Sequence, residues 1–418
     1  MTKRLILAFV FLSWHLVACS NGDSGISSGL PDKPSAEEDS PGTETIFEEM
    51  RVKITGEDLY ISAKLDAKTD ILYWFKKCMF NELFTFYRVG TIDNNMPAPA
   101  TLPDASPTSL LNLAYSDNIG PFNITGYGWC GGNHPYLDEV TQTARNIGYR
   151  IYIDGKEIKT DLSTLTKEIK IEVINEIMNP SKADTSSGKT LLNEILCIET
   201  VNYSIYRNNI QVLVTHEFQN ESPVTVQMYY GMQSMFDKET HTLTANGKYV
   251  DWTVQKDVST FTKKEYPSFR RFIEKSANVY QSSYLFADGL GNHEEISDDD
   301  IIFIGNSSNK TYHKIIADRE HKKGDIIHWS GVYTWFKSPV SDDDDLLCYE
   351  GVIDNKKVLF IDCKKNVDRT IQLPVDYTKK SFTIIEKSKS ITITGNKVTA
   401  KGLRIVSDGS GSCVITFD

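Results

Sequence analysis

From Glu49 onward, apolar and polar positions alternate with a period of two. Arg51-Val52-Lys53-Ile54 and Leu59-Tyr60-Ile61-Ser62-Ala63-Lys64-Leu65 each put one set of side chains on a dry face and the other on a wet one, as a half-buried strand does. Ile71 to Tyr87 is a denser apolar run, interrupted by Lys76 and Lys77. Tyr149 to Ile153, Asp154-Gly155 and Lys156 to Ile158 form a hairpin signature, because both turn positions favour residues that tolerate positive φ. Ile169 to Ile177 alternates again. Ile195 to Arg207, a turn at Asn208-Asn209, and Ile210 to Phe218 predict a long hairpin that Pro223 to Phe236 continues. Thr240 to Val254, turning at Asn246-Gly247, predicts another, and later turns fall at Asp354-Asn355 and Gly395-Asn396.

Helices are few. Lys264 to Val279 is the best candidate, with Pro267 in the first turn and Phe269, Phe272 and Ile273 on one face. Thr185 to Glu194 is a second. No fixed period repeats, which excludes propellers and solenoids. The expected class is all-β: a large antiparallel β-sandwich over 49–340 and a small C-terminal β-sandwich module over 346–418, divided at the acidic run Ser341 to Asp345. The larger part suits an extended two-sheet architecture of the sort seen in sugar epimerases and polysaccharide lyases, an analogy of fold and not of function.

The N-terminus breaks this pattern. Lys3 and Arg4 precede an apolar run, Leu5 to Trp14, too short for a permanent membrane span. Then come Leu16-Val17-Ala18-Cys19 and Ser20-Asn21-Gly22. This resembles a bacterial lipobox. The resemblance implies a signal peptide at 1–18, lipidation (such as by palmitate) of Cys19, and a protein tied to the cell envelope by acyl chains, with the outer membrane as the expected location on its periplasmic or surface face. Residues 19–48 are rich in Gly, Ser, Pro and acids and predict a disordered tether. Gly131-Gly132-Asn133-His134, Tyr229-Tyr230-Gly231 and the β-rich tail resemble exported Bacteroidota β-sandwich proteins.

Charge narrows the partners. The chain has 45 Lys+Arg against 56 Asp+Glu; without Lys3 and Arg4 the balance is 43 against 56, a net charge of −13. Such a chain repels phosphate backbones, so nucleic acid is not an expected partner. Six cysteines remain besides Cys19, with no CxxC and no metal-ligand spacing. Cys348 and Cys363 flank a short hairpin and could pair; two buried free thiols are the alternative.

Ser116 to Arg145 carries the most chemical character. Gly120, Gly126, Gly128, Gly131 and Gly132 stand among Tyr127, Trp129, His134 and Tyr136. Aromatic faces stack on the CH groups of a sugar ring, while amides and imidazoles meet its hydroxyls. Tyr127, Trp129, His134 and Tyr136 are therefore the candidate glycan-binding residues; the alternative is a set of bulges at a sandwich rim. The Pro- and Ser-rich stretch Thr91 to Leu111 before it is long enough to be functional.

A second candidate is catalytic. His134 or His216, with Tyr136 and Arg145, could serve as base, acid and carboxylate neutraliser in β-elimination from a uronic acid. No catalytic residue is assigned beyond these candidates. Arg150 is an alternative cation; the alternative reading makes Tyr229 and Met232 core and His216 a hydrogen-bonded strand residue. The acidic loops Ser297 to Asp300 and Ser341 to Asp345 could hold Ca²⁺, although the EF-hand pattern is absent. No other cofactor and no metal site is expected; His313, His321 and His328 have the wrong spacing for zinc. Three functions follow in order: an envelope lipoprotein that binds or handles glycans, a polysaccharide lyase, and a structural or adhesive envelope component. The sequence leaves open whether the chain is an enzyme and how many copies assemble.

Overall fold

Alternation along the strands is realised as a layered, wholly antiparallel structure. The computed structural model describes residues 48–102, 109–111, 119–235, 241–243, 249–251, 259–261, 271–276, 279–286, 302–305 and 310–417. The lipobox, Cys19, the tether up to residue 47, Ser297 to Asp300 and the Asn246-Gly247 turn lie outside them. No α-helix occurs among the described residues. The protein is all-β: a large antiparallel β-sandwich carrying a small C-terminal β-sandwich module.

A ten-stranded sheet forms the centre. Its order is Tyr249–Asp251, His241–Leu243, Arg271–Ser276, Val279–Leu285, Ile326–Phe336, Asn209–Phe218, Ile195–Tyr206, Ile169–Met178, Ala144–Ile153 and Lys156–Ile158. Cross-strand register keeps one face apolar: Tyr149, Val173, Val201, Val214 and Trp329 form one row, and Ile153, Ile169, Ile205, Ile210 and Tyr333 another. Two six-stranded sheets cover that face. The first holds Met50–Thr55, Asp58–Asp66, Thr69–Cys78 and Leu83–Asp93, with Leu162–Thr166 and Ser109–Leu111 at its edges. The other runs Ser259–Phe261, Ile302–Gly305, Lys310–His321, Val224–Met235, Ile119–Ile124 and Gly128–Cys130. Tyr73 meets Trp335 and Phe75 meets Tyr203 under the first; Phe122 and Tyr229 meet His216 under the other.

The opposite face of the central sheet receives the C-terminal module. Ile273, Tyr280, Tyr284, Val332 and Phe336 pack there against Leu347, Tyr349, Val358, Phe360 and Val414. The module has five- and three-stranded sheets around its own apolar core, which includes Cys348, Leu359, Ile361, Cys363, Ile405 and Cys413. Register sets Cys348 opposite Ile361 and Cys363 opposite Leu346, so the two cysteines are not cross-strand partners; all six described cysteines are buried free thiols.

Turns follow local chemistry where two residues suffice. Asp154-Gly155 and Asp354-Asn355 both adopt positive φ at each position, as a type I′ hairpin demands. The long hairpin turns one residue earlier than expected, at Arg207-Asn208, because Asn209 pairs with Tyr206. Val224–Met235 does not continue that hairpin; it crosses to the other sheet and pairs with Ile119–Ile124 and Lys310–His321. Both helix expectations are corrected where residues are described; Lys264 to Arg270, with Pro267 and Phe269, lie outside the described residues. Arg271–Ser276 and Val279–Leu285 are adjacent strands, and Phe272 and Ile273 are both fully buried, on opposite faces of the sheet. A strand dry on both sides loses its period of two and mimics a helix stripe. Thr185 to Glu194 closes a small ladder, Ala183–Asp184 with Leu191–Leu192.

Candidate functional site

The edge strand Gly128–Cys130 pairs with Ile119–Ile124, setting Trp129 opposite Asn123 and Cys130 opposite Phe122. Cys130 and Phe122 point into the core, so Trp129 points out. The same alternation buries Tyr229 fully and turns Tyr230 outward. The neighbouring Tyr312 also stays half-buried at the surface. Close strand approach needs glycine at one point: a Cβ on Gly120 would lie 1.8 Å from the Tyr230 carbonyl oxygen.

The outcome is a line of four rings across the outer face. Tyr136 stacks on Trp129 with centroids 6.2 Å apart and planes at 29°. Trp129 stacks on Tyr230 at 5.9 Å and 21°. Tyr230 meets Tyr312 at 5.3 Å and 43°. His134 stands edge-on to Tyr136 at 5.7 Å. All five are partly exposed, so each ring keeps solvent-facing surface while its neighbours limit its rotamers.

The segment carrying His134 and Tyr136 has no regular structure, yet it is firmly held. Asn133 is buried and its side-chain oxygen accepts the Asn81 and Leu83 amides at 3.1 and 3.5 Å. Asn81 reciprocates: its Nδ2 donates to the Gly132 carbonyl at 2.7 Å, and its Oδ1 accepts the Thr143 amide at 3.1 Å. Asp138 caps the far end through the Val140 and Thr141 amides at 2.9 and 2.7 Å and the Thr141 hydroxyl at 2.8 Å; these bonds pull its carboxyl down to about 2. The turn between two strands of the first sheet thus fixes a loop that serves the other sheet.

Trp129, His134 and Tyr136 are brought together. Tyr127 sits beside them in sequence, on the Thr125–Tyr127 turn, and is 55% exposed. Tyr230 and Tyr312 complete the line and were not among the predicted binding residues. Period-two counting from a buried Tyr229 finds Tyr230; Tyr312 has no comparable signal, since only register joins its strand to the others.

His216 does not join Arg145 in an acid–base constellation. His216 is 0% exposed and its Nε2 lies 2.9 Å from Glu199 Oε2. Arg145 has a 59% exposed side chain and is paired with Glu176. Register places Arg145 in the row of Glu176, Ile198 and Glu217, whereas His216 belongs to the next row with Glu199, Asn175 and Asn146. Adjacent rows face opposite sides of a sheet, so Arg145 and His216 cannot share a cleft. Inside, Asn146 donates to Asn175 at 3.0 Å and Asn175 to Glu199 at 2.9 Å, a buried polar chain that ends at His216. Arg150 is exposed on the outer face and paired with Glu172 at 3.1 Å.

The acidic run Ser341 to Asp345 is consumed by cations. Asp342 pairs with Lys364 at 3.0 Å and Lys275 at 3.5 Å, Asp343 with Arg369 at 2.7 Å, and Asp345 with Lys365 at 2.8 Å. Burial would raise Asp343, but the Asp345 amide and the Arg369 guanidinium hold it down to about 2. Among the described residues, no group of three or more His, Cys, Asp and Glu converges as metal ligands would.

No family model and no curated protein matches the chain. Solved structures similar to it include the galactosidase domain of an α-galactosidase-sucrose kinase, with 9% identity and a TM-score of 0.37 over 69% of this chain and 42% of that one. A GH36 α-galactosidase from Geobacillus stearothermophilus shows 9% identity and a TM-score of 0.36 over 69% of this chain and 41% of its own. A polysaccharide lyase shows 7% identity and a TM-score of 0.27 over 82% of this chain and 45% of its own. The chain spans less than half the length of each. These neighbours are carbohydrate-active proteins, and no functional residue is transferred from them.

Proposed function

We propose that the protein is an envelope lipoprotein, anchored through Cys19, that binds glycan chains along the ring line Tyr136–Trp129–Tyr230–Tyr312. The observation that carries this reading is the line itself: three consecutive ring contacts of 6.2, 5.9 and 5.3 Å on one outer sheet face. Stacked rings present CH-binding surface that is already ordered, so a ligand loses less freedom on binding. His134 and the loop amides offer polar groups at one end. The reading is a binding protein rather than a lyase built on His216, because Arg145 and His216 lie on opposite sides of the central sheet.

Trp129→Ala and Tyr230→Ala should each weaken binding of a retained oligosaccharide about tenfold, a loss of about 1.4 kcal/mol, in isothermal titration. His216→Ala should affect folding stability instead of affinity. Unchanged affinity in both ring variants would remove the strip from the site. The anchor is tested separately: Cys19→Ala should abolish palmitate labelling and release the protein from the membrane fraction.

A further inference from the structure

The outer face of the first sheet bears a second aromatic cluster. Tyr60 stacks on Trp74 at 5.4 Å and 26°, and Trp74 meets Tyr87 edge-on at 5.0 Å. The Trp74 indole N–H is anchored on Asp58 Oδ1 at 2.8 Å. A bulge beside Trp74 makes Tyr87 the extra residue, since Trp74 pairs with Arg88 and Phe75 with Phe86. The bulge brings Tyr87 and Arg88 to one neighbourhood. Two cations use these rings. The Lys76 ammonium lies 4.5 Å from the Trp74 centroid and 4.2 Å from that of Tyr87. The Arg88 guanidinium carbon lies 5.1 Å from Tyr87.

These cations differ from their neighbours. Lys77, one position on, pairs with Glu57 at 3.0 Å, and Lys64 with Asp70 at 2.9 Å. Among the described residues neither Lys76 nor Arg88 forms an ion pair, in a chain of formal net charge −11. Ring faces hold both charges in place without neutralising them. An arriving anion therefore meets positioned donors and orders little. The place also matters. Four residues after Lys76, a reach of about 13 Å along an extended chain, the Phe80 amide bonds the Asn133 carbonyl at 3.3 Å. Lys76 thus stands on the strand that leads into the turn holding the His134–Tyr136 loop, and Arg88 on the strand that leaves it.

We propose that the glycan is acidic, its uronate carboxylates pairing with Lys76 and Arg88 while other units lie on the ring line, a step that rests on the strip being a glycan site. The test uses the full chain in detergent, titrated with polygalacturonate, alginate and hyaluronan, each against its carboxyl-reduced neutral counterpart. At least one acidic polymer should bind tenfold or more tightly than its neutral form at 50 mM NaCl, with the gap closing at 500 mM. Lys76→Gln/Arg88→Gln should bring that polymer down to the neutral level, and the charge-keeping Lys76→Arg/Arg88→Lys should restore it. Equal binding of acidic and neutral forms, or full binding by the Gln pair, overturns the proposal. So does inorganic polyphosphate bound as tightly through the same two residues. Loss with Trp129→Ala but not with the Gln pair keeps the strip and removes the charge pairing. Loss with the Gln pair but not with Trp129→Ala keeps the pairing and removes the strip.

Discussion

Arg271→Met is expected to destabilise the protein strongly at pH 8 and only slightly at pH 5. Arg271 is 0% exposed and Asp362 is 1% exposed, and they form an ion pair where the central sheet meets the C-terminal module. Removing one partner of such a pair leaves the other charge buried, at a cost of about 3–5 kcal/mol. The carboxyl has an escape in acid. Burial pushes Asp362 up to about 6 even with the Arg271 charge opposing the shift. A carboxyl raised in the fold favours the folded state below its unfolded value and loses that contribution as pH climbs through its folded value. For Asp362 the window is about pH 4 to 6, and a rise of about two units corresponds to about 3 kcal/mol. Without Arg271 the folded value rises further and the window widens towards neutrality. Urea unfolding at both pH values gives the difference. At pH 5 the variant carries a neutral carboxyl, and its loss should fall within about 1 kcal/mol of the packing change alone. Arg271→Met/Asp362→Leu should recover most of the loss at pH 8. The same penalty at both pH values, or a double variant no better than the single, would refute the reasoning.

Gly120→Ala should cost at least about 2 kcal/mol by overpacking, because its methyl would meet the Tyr230 carbonyl oxygen at 1.8 Å; a thermal melt within a degree of the parent would show that the strands can separate there freely. His321 should stay neutral: burial, with Arg319 and His216 adding and Asp325 opposing, pulls its ring down to about 4. Its contribution is then present above about pH 6.5 and lost as pH falls towards 4, so its C2 proton should not titrate between pH 8 and 5.5 by NMR, and His321→Phe, which keeps the stacking on Phe218 at 4.3 Å, should flatten stability over that range. In protein lacking residues 1–44, a thiol reagent should find almost no reactive sulfur when folded and six in urea; burial pushes Cys363 up to about 11 and Cys413 up to about 12, and a count of four in urea would mean that two of the six are bonded after all.

Local chemistry was readable wherever the deciding atoms are neighbours in sequence. Val52, Ile54, Leu59 and Ile61 face the core as their alternation requires, and Asp154-Gly155 turns as two φ-positive residues must. The stretch from Trp129 to Tyr136 could be singled out because Gly128, Gly131 and Gly132 mark backbone that only glycine takes easily. The helix expectation at Lys264 to Val279 failed for the converse reason: Phe272 and Ile273 are each buried by a different layer, and periodicity reports only how many faces are dry.

Alternation, then, set the class of the fold, the strands and the short turns, since these depend on which face of a chain meets water. It could not say that Val224–Met235 leaves one sheet for another, that Asn81 would hold Asn133 from 52 residues away, or that Tyr230 and Tyr312 would join Trp129 in one row. Nor could it set Arg145 and His216 on opposite faces. Strand register decides those things, and register is fixed by the packing of all layers at once, because a shift of one residue would turn every buried side chain out to solvent.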